Sequence, residues 1–344
     1  MIEAIMHEII LRKEFLSGEK IHTIYFGGGT PSLMDPPALK GIIELIRHNF
    51  SVSEKAEITL EGNPDDLTGL KTGAIREAGI NRLSIGIQSF DDPTLRFLNR
   101  AHDSEGAIKS VDRARKAGFD NINIDLIFGT RPDYLPVLRK DLEIIQTLKV
   151  EHISSYCLTV EDGTVFGNWK KKGKIQNVTD DESAVQYELV IDELTGMGYD
   201  HYEISNFALP GFESKHNSSY WRNEKYLGVG PAAHSYNKIH RYANISNNSL
   251  YIRSLAENKI PESVDYLSMP DRINEYIMTS IRTKWGCDLG YIRQNFGFNM
   301  GSATLTYLDR IEKEGFIVKS NDLIRLTKKG KLIADKIASD MFIP

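Results

Sequence analysis

Glycine and polar side chains follow several short apolar runs of this 344-residue sequence, at the points where those runs end. The first such segment is residues 27–31, Gly-Gly-Gly-Thr-Pro. Three glycines allow a backbone to approach a ligand closely and to present N–H groups to an anion. The segment lacks the Gly-Lys-Ser/Thr of a phosphate loop and the glycine spacing of a Rossmann turn, so by itself it is equally consistent with a tight structural turn.

Charged and amide side chains occupy the corresponding positions after three further apolar runs. Glu61, Gln88 and Asp125 lie at or near the ends of these runs, and Arg100 lies in the segment after Gln88. A carboxylate can accept two hydrogen bonds from a ribose diol, and a guanidinium can pair with a ligand carboxylate. Each residue alone could equally have a structural role. Together they favour a ligand with an amino acid end and a nucleoside end.

The elements that must position these residues alternate between strands and helices, a pattern typical of a parallel sheet with helical crossovers. In a βα barrel the carboxyl ends of the strands meet on one face, whereas an open doubly wound sheet gathers its ligand residues at one switch point. Because polar residues follow every strand, we favour the barrel. The predicted strands are 21–26, 56–61, 82–88, 121–128 and 152–160, and the predicted helices between them are 37–49, 68–78, 104–117 and 135–148.

The predicted secondary structure of the rest of the sequence changes in character twice. Apolar residues at helical spacing predict that the chain opens inside a helix, and a further helix is predicted at 181–197. A loop-rich part follows, with HNSSYW at 216–221 and YLGVGPAAHSY at 226–236. Beyond it, predicted helices at 270–283, 288–295, 302–313 and 327–342 surround two short strands, which indicates a winged-helix-like domain. The predicted domains are therefore 1–205, 206–265 and 266–344.

Composition excludes several classes of protein. The chain has 42 Lys and Arg against 47 Asp and Glu, and its C-terminal part lacks the basic excess of a nucleic-acid-binding domain. No segment has the roughly 20 apolar residues of a membrane span. The two cysteines, Cys157 and Cys287, provide neither a disulfide framework nor a Cys-x-x-Cys motif.

The ordered set GGGTPS, LEGNP, RLSIGIQSF, LNRAHD and NIDLIFG resembles the radical S-adenosylmethionine (SAM) family that contains oxygen-independent coproporphyrinogen III oxidase. HNSSYW and YLGVGPAAHSY resemble the heme-chaperone branch of that family. The resemblance covers essentially the whole chain. It implies an α/β fold, a partial (β/α)6 TIM-like barrel lacking its first strand, followed by the winged-helix-like α+β domain.

The resemblance also implies roles for individual residues. Gly28, Gly29 and Thr30 match the loop that holds the amino acid end of SAM, and Glu61 matches its ribose contact. Further residues match other SAM contacts, the last of them a backbone contact to adenine: Gln88, Arg100, Asp125 and Thr159.

His216 matches a histidine proposed to ligate heme iron. A neutral imidazole is a common axial ligand, and the neighbouring Tyr220 and Trp221 could cover an apolar macrocycle. Sequence chemistry alone leaves open a loop histidine bonded to the backbone.

One departure from the family affects the chemistry. The family binds a 4Fe-4S cluster through Cys-x-x-x-Cys-x-x-Cys, and this sequence has no such motif. We therefore expect an N-terminally shortened chain that does not make the 5′-deoxyadenosyl radical and whose own residues hold no metal.

The resemblance then implies a heme chaperone that binds heme and SAM and delivers heme to respiratory membrane cytochromes. The alternatives are a coproporphyrinogen III oxidase and a cluster-free heme- or SAM-binding protein. The expected location is the cytoplasm or, peripherally, the inner membrane. A dimer is allowed, and no nucleic-acid partner is expected.

Overall fold

A computed structural model describes residues 1–176 and 178–344. The strands are β1 (Ile21–Phe26), β2 (Val52–Gly62), β3 (Arg82–Gln88), β4 (Ile122–Phe128), β5 (His152–Cys157), β6 (Asp200–Glu203), β7 (Asn206–Ala208), β8 (His234–Tyr236), β9 (His240–Asn244), β10 (Glu262–Tyr266), β11 (Cys287–Asp288), β12 (Ile317–Ser320) and β13 (Leu323–Leu326). The α-helices are α1 (Ile2–Leu11), α2 (Pro36–Asn49), α3 (Gly69–Glu77), α4 (Asp92–Phe97), α5 (Ser104–Lys116), α6 (Leu135–Leu148), α7 (Val165–Lys171), α8 (Asp180–Gly196), α9 (Lys215–Trp221), α10 (Asn248–Ala256), α11 (Met269–Ile281), α12 (Leu289–Phe296), α13 (Ser302–Lys313), α14 (Lys328–Lys331) and α15 (Ala334–Asp340).

The largest sheet contains the five strands predicted from the sequence, in chain order. Its order is β1-β2-β3-β4-β5-β7-β6, and β2 to β5 pair in parallel. Strand β7 pairs antiparallel with both β5 and β6. Because β2 to β5 are parallel, their carboxyl ends lie at one edge of the sheet, which is where the candidate residues were predicted to converge.

The apolar runs form strands because their side chains fill the core on both faces. In β3 the first four residues and Ile87 are buried, as is typical of a parallel sheet covered by helices. Polar caps fix where the crossover helices begin. The carboxylate of Asp103 accepts from the Gly106 N–H at the start of α5, and Thr179 with Glu182 forms a capping box at the start of α8.

The chain divides into two compact units. One unit comprises Tyr25–Pro36 and Ile58–Ser214, and the other comprises Met1–Ile24, Pro37–Glu57 and Lys215–Pro344. The second unit includes the helices and strands predicted after residue 266. Its C-terminal core contains Ile273, Ile277 and Cys287, packed around the antiparallel sheet β11-β13-β12. The three predicted domain ranges stay a prediction.

Some local predictions differ from the structure. The strand predicted to extend to residue 160 ends at Cys157, because its pairing partner β4 ends at Phe128, directly opposite Cys157. The helix predicted over 327–342 is divided into α14 and α15, because Ile333 adopts φ −127° and ψ 30°, outside the helical range.

The part predicted as loop-rich contains the short strands β6 to β10 and the helices α9 and α10. Elements of three to nine residues show too few repeats for apolar periodicity to reveal them. None of the helices within the described residues is both long and apolar enough to cross a membrane.

Candidate functional site

A cavity of about 200 Å³ lies at the carboxyl ends of the parallel strands, inside one compact unit. Loops and strand ends from four successive βα segments contribute to its wall. Its lining residues are Gly29, Thr30, Pro31, Ser32, Glu61, Gly62, Asn63, Ser84, Gly86, Gln88, Arg100 and Asp125.

Glu61 is fixed in this cavity by two donors from the β1 segment. The Tyr25 hydroxyl donates to Oε1 at 2.6 Å, and the Gly28 N–H donates to Oε2 at 3.1 Å. Gly28 and Gly29 have φ of +81° and +67°, and a Cβ at Gly27 would come within 2.4 Å of the Tyr25 ring. The triple glycine is therefore required by the turn that delivers an N–H to the Glu61 carboxylate.

Asp125 is the second carboxylate of the cavity and comes from the middle of β4. Asn123 Nδ2 donates to its Oδ1 at 2.8 Å. The pKa of Asp125 is raised to about 6, mainly by burial and also by the nearby Glu61 carboxylate, while the hydrogen bond from Asn123 and the charge of Arg82 act in the opposite direction. Burial also raises the pKa of Tyr25 well above its usual range, reinforced by Glu61. Two carboxylates close together make the cavity favourable for a cationic group.

Gln88 and Arg100 also line the cavity. Gln88 ends β3 with φ +73°, where the register against β4 shifts, and such backbone in a non-glycine residue is associated with functional sites. Arg100 Nη2 donates to Asn63 Oδ1 at 2.6 Å and to the Gly86 carbonyl at 3.0 Å. The Arg100 Nε–H is buried and has no acceptor among the described residues.

The structure brings most of the predicted SAM residues together. The lining includes Gly29, Thr30, Glu61, Gln88, Arg100 and Asp125. Gly28 contacts Glu61 without being part of that lining. Thr159 is exposed, lies beyond the end of β5 and does not line the cavity, so its role stays a prediction.

Sequence reasoning missed several lining residues. Ser84 and Gly86 alternate with Gln88 along β3, and this period of two places all three on one face. The alternation is visible in RLSIGIQ and could have identified them. Asn63 is part of LEGNP, but its hydrogen bond to Arg100 joins residues 37 positions apart, which no local pattern reveals.

His216 lies in the other compact unit, on α9, and not in a loop as expected. Hydroxyl groups lie next to both ring nitrogens: Thr23 Oγ1 is 3.0 Å from Nδ1, and the Tyr220 hydroxyl is 3.0 Å from Nε2. The backbone N–H groups of Lys215 and His216 donate to the buried Glu57 carboxylate, at 3.2 and 3.0 Å. A carboxylate there both caps the first turn and complements the helix dipole.

This environment suits a metal-binding imidazole. A threonine hydroxyl can accept a hydrogen bond from Nδ1–H, and that tautomer leaves the lone pair on Nε2, where Tyr220 now donates. Nε2 could therefore bind iron in place of the Tyr220 hydroxyl.

A cluster held by three cysteines does not fit the residues present. Cys157 is exposed, while Cys287 is fully buried in the C-terminal core, where burial raises the pKa of its thiol to about 12. A thiolate is the form that binds metal, so Cys287 is a poor ligand. Within residues 1–176 and 178–344, no group of three or more His, Cys, Asp or Glu side chains is placed to hold a metal ion.

Comparison with known proteins agrees with this arrangement. Residues 3–142 match the model of the radical SAM superfamily. The chain is 34% identical over 330 residues to the heme chaperone HemW of Lactococcus lactis, covering 96% of this chain and 86% of the relative. It is also 34% identical over 319 residues to heme chaperone HemW of Bacillus subtilis, covering 92% and 84%.

Among solved structures, the chain resembles the coproporphyrinogen III oxidase HemN of Escherichia coli, described as a radical SAM enzyme. The TM-score is 0.82 at 23% identity, covering 99% of this chain and 82% of that chain. At this identity the likeness shows the fold, and it confirms the predicted α/β partial barrel with a helical C-terminal part.

Proposed function

Because this chain belongs to the HemW family of the radical SAM superfamily, we propose that it is a heme chaperone that binds heme iron through His216. The observation that carries the proposal is the His216 ring on α9, with Thr23 at Nδ1 and a replaceable hydroxyl at Nε2. Histidine Nε2 is a common axial ligand of heme iron, and a hydrogen bond at the other ring nitrogen orients the ligand.

The proposal includes SAM binding in the cavity at the strand ends. Members of the radical SAM superfamily use SAM, and with a 4Fe-4S cluster they cleave it reductively. The cavity residues fit SAM: Glu61 can accept from the ribose diol, Asp125 can attract the sulfonium, and the unsatisfied Arg100 Nε–H can take the carboxylate. The cysteines present do not fit the cluster, so the role we propose for this chain's own residues is limited to SAM recognition.

The finer parts of the proposal concern partners. The heme would be delivered to respiratory cytochromes at the inner membrane, which the protein would reach peripherally from the cytoplasm, with a dimer as an allowed assembly. The oxidase alternative is not favoured, because the likeness to HemN is 23% identical, whereas two relatives at 34% identity are named heme chaperones.

A heme titration tests the proposed iron ligand. Wild-type protein should shift the Soret band of heme at one equivalent, and H216A should lose that shift. H216G should regain it when free imidazole is supplied, because the small ligand can fill the space of the missing ring. H48A is the matched control, since His48 also lies on a helix but is exposed and does not line the cavity at the strand ends. A wild-type Soret shift in H216A would exclude His216 as the ligand.

A further inference from the structure

A second and larger cavity lies in the compact unit that contains His216. Its volume is about 460 Å³, and its lining residues are Tyr220, Tyr226, His234 and Arg241. This volume falls within the range of roughly 300 to 1,000 Å³ that is usual for small-molecule sites. Two aromatic rings and two nitrogen-rich side chains make a lining suited to a flat, anionic ligand.

The pairing of β8 with β9 explains why two of these residues meet. His234 is opposite Ala243, and Tyr236 is opposite Arg241, in an antiparallel register. Residues two apart on a strand share a face, so His234, Tyr236 and Arg241 project from one side of this hairpin. The sequence segments HSY and HRYAN therefore build half of the cavity wall.

A continuous set of aromatic contacts links this cavity to His216. The His216 and Tyr220 rings meet edge to face with centroids 5.0 Å apart, and Tyr220 meets Tyr226 in the same way at 4.8 Å. Tyr220 also lies one helical turn after His216 on α9, with its hydroxyl 3.0 Å from Nε2. The cavity wall thus begins at the side chain that touches the proposed iron ligand.

Arg241 is incompletely satisfied at this cavity. Its Nη2 donates to Glu275 at 2.6 Å, but its buried Nε–H has no acceptor within the described part of the chain. A carboxylate that approaches the Nε and Nη2 edge can accept from both groups at once, which is the strong bidentate arrangement. A ligand carboxylate would therefore satisfy Arg241 better than Glu275 does.

Two acidic residues lie near Arg241, and one of them, Glu275, is the group that such a ligand must displace. Asp265 on β10 is opposite Arg241 in the strand register, and burial raises the pKa of Glu275 despite its pairing with Arg241. The Glu275 carboxylate is thus held in a partly desolvated position, from which a competing anion can replace it.

We propose that this cavity holds the carboxylate-bearing edge of a planar tetrapyrrole, with a ligand carboxylate on Arg241 in place of Glu275 and the macrocycle against Tyr220 and Tyr226. The tetrapyrrole class rests on the proposed function, since it is the ligand that His216 would bind. The carboxylate contact to Arg241 rests on the cavity itself.

Titration of the full chain with iron-free protoporphyrin IX, followed by porphyrin fluorescence, tests this contact without using the iron ligand. R241M should weaken protoporphyrin IX binding about tenfold, because a charge-assisted hydrogen bond contributes more than a neutral one. R241K should lose part of the affinity, since lysine keeps the charge without the bidentate fork. E275Q should bind several-fold more tightly, because it removes the competing carboxylate.

The dimethyl ester of protoporphyrin IX supplies the decisive comparison. The wild-type protein should bind the ester more weakly than the acid, and R241M should bind acid and ester alike. R293M is the matched control, because Arg293 also donates to a carboxylate, Asp322, at 2.6 Å on the protein surface and does not line the cavity. Equal affinity of wild type for acid and ester, unchanged binding in R241M, or no binding of either porphyrin would each overturn the contact.

These outcomes separate the inference from the proposed function. If H216A loses the heme Soret shift, while protoporphyrin affinity is unchanged by R241M and by esterification, His216 stays the proposed iron ligand and the Arg241 contact is refuted. Protoporphyrin binding that depends on Arg241, together with a wild-type Soret shift in H216A, would support the contact and refute the iron ligand.

Discussion

The affinity for SAM should depend on the ionisation of Asp125. Since the pKa of Asp125 is raised to about 6, the ionised fraction of its carboxyl rises from about one tenth at pH 5 to about nine tenths at pH 7. The carboxylate and ammonium of SAM change little over this range, and its sulfonium charge is permanent. If the sulfonium binds next to ionised Asp125, the affinity should increase roughly tenfold from pH 5 to pH 7, about 1.4 kcal/mol.

The variant D125N removes the titrating group and keeps its approximate shape. It should bind SAM more than tenfold more weakly than wild type at pH 7, and this difference should be about tenfold smaller at pH 5, where only about one tenth of the wild-type carboxyl is ionised. Isothermal titration calorimetry with SAM at pH 5, 6 and 7 measures both proteins directly and requires no catalysis.

Asp141 provides a matched control. Burial raises the pKa of Asp141 to about 6 as well, but this carboxylate accepts from the Ser89 hydroxyl at 2.7 Å and the Phe90 N–H at 2.9 Å and does not line the cavity. D141N should therefore keep the pH dependence of SAM binding. A flat wild-type profile, or a profile in D125N as steep as in wild type, would refute the assignment of Asp125 to the sulfonium.

Two further changes test the His216 environment and the packing of the unit that contains it. T23V should weaken heme binding at least tenfold, because the hydrogen bond at Nδ1 orients the ligand ring, and it should leave the unfolding temperature nearly unchanged. Heme titration of wild type and T23V measures the two affinities. Equal affinities would contradict this role of Thr23. E8A should lower the free energy of unfolding by about 3 kcal/mol, because the fully buried Glu8 pairs with Arg12 and accepts a hydrogen bond from Tyr251. E3A, on the same helix but exposed, should change it by less than about 0.5 kcal/mol. Urea unfolding measures both variants, and similar losses in the two would show that the buried pair contributes little.

The strands of the large sheet were predictable because each carries its own signal. The runs 21–26 and 82–88 match β1 and β3, since short runs rich in β-branched and other apolar residues, bounded by glycine and polar residues, are typical of strands. The element ends were less predictable. The end of β5 at Cys157 depends on where β4 ends, which is a property of the pairing and not of the sequence of β5.

The cavity at the strand ends was largely predictable for a topological reason. Once parallel strands are assigned, Glu61 and Gln88 lie at the same edge of the sheet, and Asp125 in β4 lies next to Leu126, the register partner of Gln88. The contacts that tune these residues are not local. The hydrogen bond from Tyr25 to Glu61 and the one from Arg100 to Asn63 each join different βα segments, so only the folded chain brings them together.

The His216 environment was the least predictable part, because its partners are distant in sequence. Thr23 and Glu57 come from β1 and β2, more than 150 residues before His216, and they decide the ring orientation and the start of α9. The helix itself has only seven residues, too few for its periodicity to be recognised in HNSSYW.

A raised carboxyl pKa alone does not identify a site in this protein. Asp125 and Asp141 both have a pKa of about 6 for the same reason, burial, yet their partners differ. The hydrogen bonds of Asp141 end within the protein, at Ser89, Phe90 and Tyr134, whereas Asp125 lines a cavity that also contains Glu61. Convergence with a second carboxylate and with the unsatisfied donor of Arg100 is what distinguishes a binding group from a structural one. For this reason the comparison of D125N with D141N is more informative than either variant alone.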